Sequence, residues 1–263
     1  MPKAFTRAVS PRLSECELTH QDRVAIDWAK ADAQHSAYER ALEQAGYEVI
    51  RLPDLPGHPD GVFVEDTALL LDGHAVILRP GAKSRAAETG STAAGLEEHF
   101  RLHRVTEGHV DGGDVLRIGN SLYVGLSSRT DGQGIDALRA IGAEIGFDVV
   151  QAELKGCLHL KTGATFAGLD RDGAPVLIYN PQSVDPSQFA GVEPMPVDGR
   201  EPAAANCVRA GDLLILPAGN PRTADNGSIA RLVPPSSNSP SQNVTEYDRA
   251  SRDRSPSEIP RRV

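Results

Sequence analysis

Short apolar runs alternate with turn-forming residues along most of the chain, and four stretches repeat one pattern. They are Phe63-Val64-Glu65-Asp66-Thr67-Ala68-Leu69, His109-Val110-Asp111-Gly112-Gly113-Asp114-Val115, His159-Leu160-Lys161-Thr162-Gly163-Ala164 and Ala205-Asn206-Cys207-Val208. Each leads through a small turn (Asp72-Gly73, Gly119-Asn120, Asp172-Gly173, Ala210-Gly211) into a second apolar run. Those runs are Ala75–Leu78, Leu122–Val124, Val176–Ile178 and Leu213–Leu216. Two apolar runs joined by Gly, Asn or Asp predict a hairpin, because these residues tolerate positive φ. The hairpins recur about every 45–50 residues, the period of an array of supersecondary units.

Between the hairpins the pattern changes period. A short extended run, Ala4–Val9, opens the chain, and a loop carrying Pro11, Cys16 and Leu18 follows. A helix is expected from Gln21 to about Ala45, with Thr19 as N-cap, Tyr38, Leu42 and Ala45 on its apolar stripe, and Gly46 at its end. Tyr47–Leu52 reads as a strand, and residues 91–100 as a short helix. Ile135, Leu138, Ile141 and Ile145 mark another helix, stopped by Gly146. Hairpin, helix and strand thus alternate, which predicts an α/β array and argues against a doubly wound sheet.

The pattern stops near Asp225. Asn220–Asp225 reads as the start of one more helix, but Asn226–Val263 is rich in Ser, Pro and Arg and its apolar residues keep no period. Such a segment buries too little surface to offset its ordering entropy and is expected to be disordered. The predicted organisation is therefore one α/β domain over 1–225 and a tail over 226–263.

Composition narrows the classes. The chain has 263 residues, 40% hydrophobic and 24% charged, as a soluble globular protein does. A net charge of −9 argues against nucleic acid as a partner. No apolar run approaches the ~18 residues of a membrane span, and the N-terminus has no apolar signal core, so a cytoplasmic protein is expected. Cys16, Cys157 and Cys207 show neither metal-ligand spacing nor an even count.

The candidate chemistry is polar and cationic. Asp60, Glu65, Asp66 and Asp111 are acids at or beside strand ends, and Arg85 and Arg129 lie in loops after strands. Carboxylates pair with a guanidinium in bidentate fashion, and arginine does the same for a ligand carboxylate. Free arginine or a relative satisfies both ends. His159 stands two residues from Cys157, a neighbour able to lower a thiol pKa. Singly, each residue also has a structural role open to it: acids as turn formers and caps, cysteines as small buried hydrophobes. His103 and His109 lack the acid–histidine spacing of a metal site.

Taken together, Phe63–Asp66, Asp111–Val115, Ser127–Thr130 and Gly156–Thr162, with weaker support from Ala204–Asn206, resemble the dimethylarginine dimethylaminohydrolase family. That family belongs to the guanidino-modifying superfamily of arginine deiminases and amidinotransferases. The resemblance covers residues 1 to about 225. It implies a five-fold pseudo-symmetric α/β propeller of ββαβ modules, here with its last module incomplete. It implies a small-molecule substrate, methylated arginine, whose guanidinium meets Asp66 and Asp111. The substrate carboxylate would meet Arg85 and Arg129, and its α-amino group Asp60 and the backbone of Leu18. Glu65 would brace this group or add a contact, and His159 would be the general acid/base. No cofactor or metal is implied, and a homodimer is left open.

The family reaction is attack of a cysteine thiolate on the guanidinium carbon, departure of dimethylamine, and hydrolysis of a covalent thiouronium to citrulline. The chain departs from the family at one point. The family's nucleophile lies near the C-terminus, and residues 226–263 contain no cysteine. A shifted frame or truncated copy after Asp225 is one expectation from this change. An inert arginine-binding relative is another, and a deiminase-like or amidinotransferase-like enzyme a third.

Overall fold

Asp72 and Gly73 take φ of 46° and 90°, the paired positive values of a tight hairpin turn, and the strands on either side of them pair antiparallel. The computed structural model containing this hairpin describes residues 1–19, 23–170 and 172–224, and the backbone of Thr245–Tyr247. β1 (Lys3–Thr6) runs parallel to β2 (Glu48–Arg51), with α1 (Trp28–Gln44) between them. β3 (Ala68–Leu71) and β4 (His74–Ile77) form the first hairpin; α2 (Glu88–Leu96) then leads to β5 (Arg101–Arg104), parallel to β4. β6 (Val115–Ile118), β7 (Ser121–Leu126), α3 (Gly132–Ile145) and β8 (Asp148–Glu153) repeat the unit. After α4 (Leu160–Gly163), β9 (Ala164–Leu169), β10 (Pro175–Tyr179) and β11 (Glu193–Pro196) repeat its strands, with the helical turn Pro186–Gln188 in place of the crossover helix. β12 (Val208–Ala210) and β13 (Leu213–Ile215) make the fourth hairpin, and α5 (Pro221–Ala224) follows. β14 (Thr245–Tyr247) pairs antiparallel with β1 and lies against β3. The described residues thus form a mixed α/β fold of small sheets.

Three expectations need correction. The first helix begins at Trp28, not Gln21: Asp27, not Thr19, is the cap, and its side chain accepts from Lys30 N at 3.1 Å. The second begins at Glu88 and ends at Leu96, earlier than 91–100. Within the tail read as disordered, Thr245–Tyr247 is a strand, because β1 has an open edge to receive it; the rest of that reading lies outside the described residues. The third helix is as expected, capped by Asp131 onto Gly134 N and closed by Gly146 at φ 88°.

The first strand of every hairpin is entered through a single helical turn. The turns are Val64–Thr67 before β3, Gly112–Asp114 before β6, α4 before β9 and Pro202–Ala205 before β12. The motif residues therefore gather where these strands start. Two of the turns touch backbone to backbone: a Cβ on Gly112 would stand 1.9 Å from Glu65 O, so only glycine fits there. The four strands line a cavity of about 910 Å³ that reaches Glu65 and Lys161 at their starting ends and Asp72, Gly119 and Gly211 at the turns.

The core is distributed between neighbouring units. Leu69, Leu71 and Val76 of one hairpin pack with Leu122 and Val124 of the next and with Ile135 and Leu138 of α3. Another cluster joins Val208, Ala210 and Ile215 of the last hairpin to Ala4 of β1 and Tyr38 and Leu42 of α1. Gly211 N also donates to Tyr47 Oη at 3.2 Å. No helix among the described residues is long and apolar enough to cross a membrane.

Leu138 is fully buried, whereas Leu169 is 53% exposed. Leu138→Ala is expected to lower the unfolding free energy by about 2–5 kcal/mol in urea titrations, and Leu169→Ala by no more than roughly 0.5 kcal/mol. Equal effects would show that the core does not lie between these units.

Candidate active site

Asp66 lies in the turn before β3, Asp111 precedes the turn before β6, and His159 precedes α4. One polar atom from each falls within 4.8 Å of the other two. His159 Nε2 and Asp111 Oδ2 are 3.2 Å apart, and Gly81 N donates to Asp111 Oδ1 at 2.8 Å. Asp66 Oδ1 accepts from Gly113 N at 2.9 Å, and its Oδ2 from Arg85 Nη1. Gly113 is part of this fit, since a Cβ there would stand 2.6 Å from His159 Nδ1.

Charge follows from the packing. Burial disfavours the His159 imidazolium, but Asp66, the bond to Asp111 and the carboxylate of Asp114 outweigh it and raise the pKa to about 9. Burial also opposes the Asp66 anion, and Arg85 and His159 overcome it, so its pKa falls. At neutral pH the site holds two carboxylates beside an imidazolium.

Arg85, expected to face a ligand carboxylate, is only 3% exposed. Besides Asp66 it donates to both oxygens of Glu88, to Asp60 O at 3.2 Å and to Phe63 O at 2.9 Å. Arg129 is half-buried, and its Nη2 donates to Thr19 Oγ1 at 3.0 Å. Both oxygens of Asp60 accept from Glu17 N at 3.2 Å, and Ser84 Oγ donates to Glu17 Oε1 at 2.6 Å. Burial, opposed by Arg85, raises the pKa of Asp60. Leu18, 38% exposed, thus sits in a loop tied down by Asp60, Ser84 and Arg129.

Glu65 forms an ion pair with Lys161, and its Oε2 is buried without a hydrogen-bond partner among the described residues. Burial pushes the Lys161 ammonium down to about 7. The thiols are placed differently from what an activated nucleophile needs. Cys157 Sγ donates to His159 O at 3.4 Å, and burial raises its pKa. Burial pushes Cys207 to about 12 and also raises Cys16. His103 and His109 stand apart in function: His103 Nε2 lies 2.8 Å from His74 Nδ1, and His109 Nδ1 3.0 Å from Asp131 Oδ2.

Sequence reasoning did not single out Glu88, Lys161 or Glu17. The i, i+3 spacing of Arg85 and Glu88 was a readable signal. Lys161 and Glu17 meet their partners only through the fold. Asp66, Asp111 and His159 offer O, O and N donors that also suit a metal ion, but Asp66 is engaged by Arg85 and Gly113 N, and Asp111 by Gly81 N and His159. The arrangement favours an organic cation, whose N–H groups add to such acceptors without displacing their partners.

These features define a buried carboxylate–histidine cluster, set at the starts of repeated hairpin strands. No family model matches the chain. The N(G),N(G)-dimethylarginine dimethylaminohydrolase of Streptomyces coelicolor is 38% identical over 229 residues, covering 85% of this chain and 84% of that protein. The enzyme of the same name from Pseudomonas aeruginosa is 35% identical over 209 residues, 78% of this chain and 80% of that one. A solved structure of the Pseudomonas aeruginosa protein, a cysteine-to-serine mutant complexed with citrulline, superposes with a TM-score of 0.82 at 32% identity, covering 92% and 93% of the two chains. The N-terminal domain of the cyanobacterial arginine dihydrolase ArgZ shares the fold, with a TM-score of 0.72 at 18% identity over 91% of this chain and 92% of that one. The chain belongs to the dimethylarginine dimethylaminohydrolase family, a family of amidine hydrolases.

The raised pKa of His159 has a pH signature. The folded value lies above the ordinary imidazole value of about 6.5, so the stabilisation is complete below that pH and is lost as pH rises through about 9. The His159 contribution to the unfolding free energy is expected to fall by roughly 1–3 kcal/mol across this window, against the contribution of Lys161, which its lowered pKa makes rise over the same range. His159→Asn should remove the falling contribution and leave a more steeply rising profile in urea titrations at several pH values; a variant with the same slope as wild type would refute the assignment.

Proposed function

We propose that this chain binds an Nω-methylated arginine with its guanidinium between Asp66 and Asp111, and that the bound ligand is not turned over by any of the described thiols. Asp66, Asp111 and the free Oε2 of Glu65 supply the acceptors for the guanidinium. Asp60 and the carbonyl of Leu18 take the α-ammonium once the Glu17 N–H releases Asp60. Arg129, half-buried at the site's edge, and the Arg85 guanidinium take the carboxylate. The small sheets with cores between them are read as blades of a propeller around the cavity, and the contact of the last hairpin with α1 supports that reading.

The reaction to which this constellation is suited is hydrolysis of dimethylarginine to citrulline and dimethylamine. His159, charged at neutral pH and held by Asp111, is placed to protonate the departing amine. The covalent step needs a thiolate at the guanidinium carbon, with the thiol sulfur adding as dimethylamine leaves and water later releasing citrulline. The carrying observation is that Asp66, Asp111 and His159 converge without a cysteine in their cluster, while the three thiols of the chain all have raised pKa values. The chain retains the binding and acid half of the family site.

Two measurements test this. The purified, mass-verified chain should bind L-arginine or asymmetric dimethylarginine by calorimetry, yet release no citrulline above a His159→Ala control. Citrulline release above that control would show that a nucleophile is present and overturn the inert reading. Arg129→Ala should weaken binding by roughly 1.5–3 kcal/mol, the range for a charge-assisted hydrogen bond; unchanged affinity would remove Arg129 from the ligand's carboxylate end.

A further inference from the structure

Asp114 is completely buried and accepts hydrogen bonds from groups in two other segments. Its Oδ2 accepts from Ser127 Oγ at 2.6 Å and Thr130 Oγ1 at 2.7 Å, and its Oδ1 from Leu160 N at 3.0 Å. Both segments carry residues of the site. Ser127 and Thr130 bracket Arg129, and Ser127 Oγ also accepts from Arg129 N at 2.9 Å. Thr130 Oγ1 in turn accepts from Asp111 N at 3.1 Å, tying the loop back to the acid that holds the histidine. Leu160 N is the amide that follows His159. The space is cut for this carboxylate, since a Cβ on Gly125 would lie 3.1 Å from Asp114 Oδ1 and 2.4 Å from Leu154 Cδ2.

We propose that Asp114 is a positioning residue that fixes His159 against Asp111 and holds the Arg129 loop to the same frame. It touches no ligand in this reading. It acts by binding the first amide of α4 with one oxygen and the two hydroxyls of the loop with the other. Its three partners are a backbone amide and two hydroxyls, so its charge is met by oriented dipoles, not by a cation in direct contact. Burial raises its pKa to about 6, against His159 and the hydrogen bonds, so at pH 7 it is an anion near the imidazolium. The carboxylates facing His159 are then Asp66, Asp111 and Asp114. The proposal rests on the site described above, and on the ligand only through Arg129.

The test is titration of the His159 imidazole by NMR in the full chain, alongside calorimetry with L-arginine. Asp114→Asn keeps an oxygen for Leu160 N but loses the charge and turns an N–H group toward the hydroxyls. The His159 midpoint should fall by about one pH unit or more, and L-arginine affinity about tenfold. A folded Asp114→Asn protein with the wild-type midpoint overturns the proposal, however far its melting temperature drops, because Asp114 would then be only structural. If Asp114→Asn does not fold, Thr130→Val removes one hydroxyl and the acceptor for Asp111 N, and an unchanged midpoint there overturns it equally. Failure of the wild type to bind L-arginine sinks the ligand reading alone, since the imidazole titration needs no ligand.

Discussion

The site depends on burying like charges side by side and giving each one a fixed set of donors. Asp66, Asp111 and Asp114 are all within a few per cent of full burial and share one imidazolium. Unsupported, such a cluster would shed its charge by taking up protons. Here Arg85 and His159 offset the burial of Asp66, His159 and two hydroxyls that of Asp114, and each carboxylate also holds one backbone amide: Gly113 N for Asp66, Gly81 N for Asp111 and Leu160 N for Asp114. Two of these amides, Gly113 N and Leu160 N, belong to helical turns that lead into hairpins, and Gly81 N lies in the loop after β4. The two glycines of the Asp111–Asp114 turn let the neighbouring segments come close enough for these contacts.

Arg85 shows the same constraint from the cationic side. It lies under the site, with Asp66, Glu88 and two carbonyls around its guanidinium, and these neighbours hold its pKa above the ordinary value despite burial. Removing one partner of such a group leaves the other charge buried and unpaired, which costs several kcal/mol more than the pair itself contributes. Arg85 therefore couples three things that must agree: the orientation of Asp66, the loop carrying Asp60, and the first turn of α2. Any ligand contact it makes is added to that structural role.

The hairpins were legible in the sequence because their turns have a local steric requirement. Asp72-Gly73 and Gly211 take positive φ, and few residues other than Gly, Asn and Asp do so. The end of α3 was legible for the same reason at Gly146. The start of α1 was not, because Thr19 and Asp27 are both good caps and only tertiary packing selects between them. At the site, Asp66, Asp111 and His159 stand in the motifs and could be named from them. Their burial partners could not, since Lys161 reaches Glu65 across 96 residues of chain and Leu160 reaches Asp114 across 46. The partner of His103 was not legible either: the parallel register of β4 and β5 sets Val76 opposite it and leaves His74 diagonally adjacent.

The charge balance bears directly on the proposed binding of a guanidinium. In the covalent chemistry of the family, a thiolate would add one more negative charge next to the imidazolium. In this chain the imidazolium faces Asp66, Asp111 and Asp114, and Arg85 pairs with the first of them. In the proposed binding, a guanidinium entering between Asp66 and Asp111 would bring a delocalised positive charge and N–H donors to two carboxylates already held by their own donors and to the unpartnered Oε2 of Glu65. The attraction needs no bond to carbon. In the proposed reading, binding and catalysis separate physically at this site: the carboxylates and Arg129 would serve the first, and a thiolate would be needed for the second.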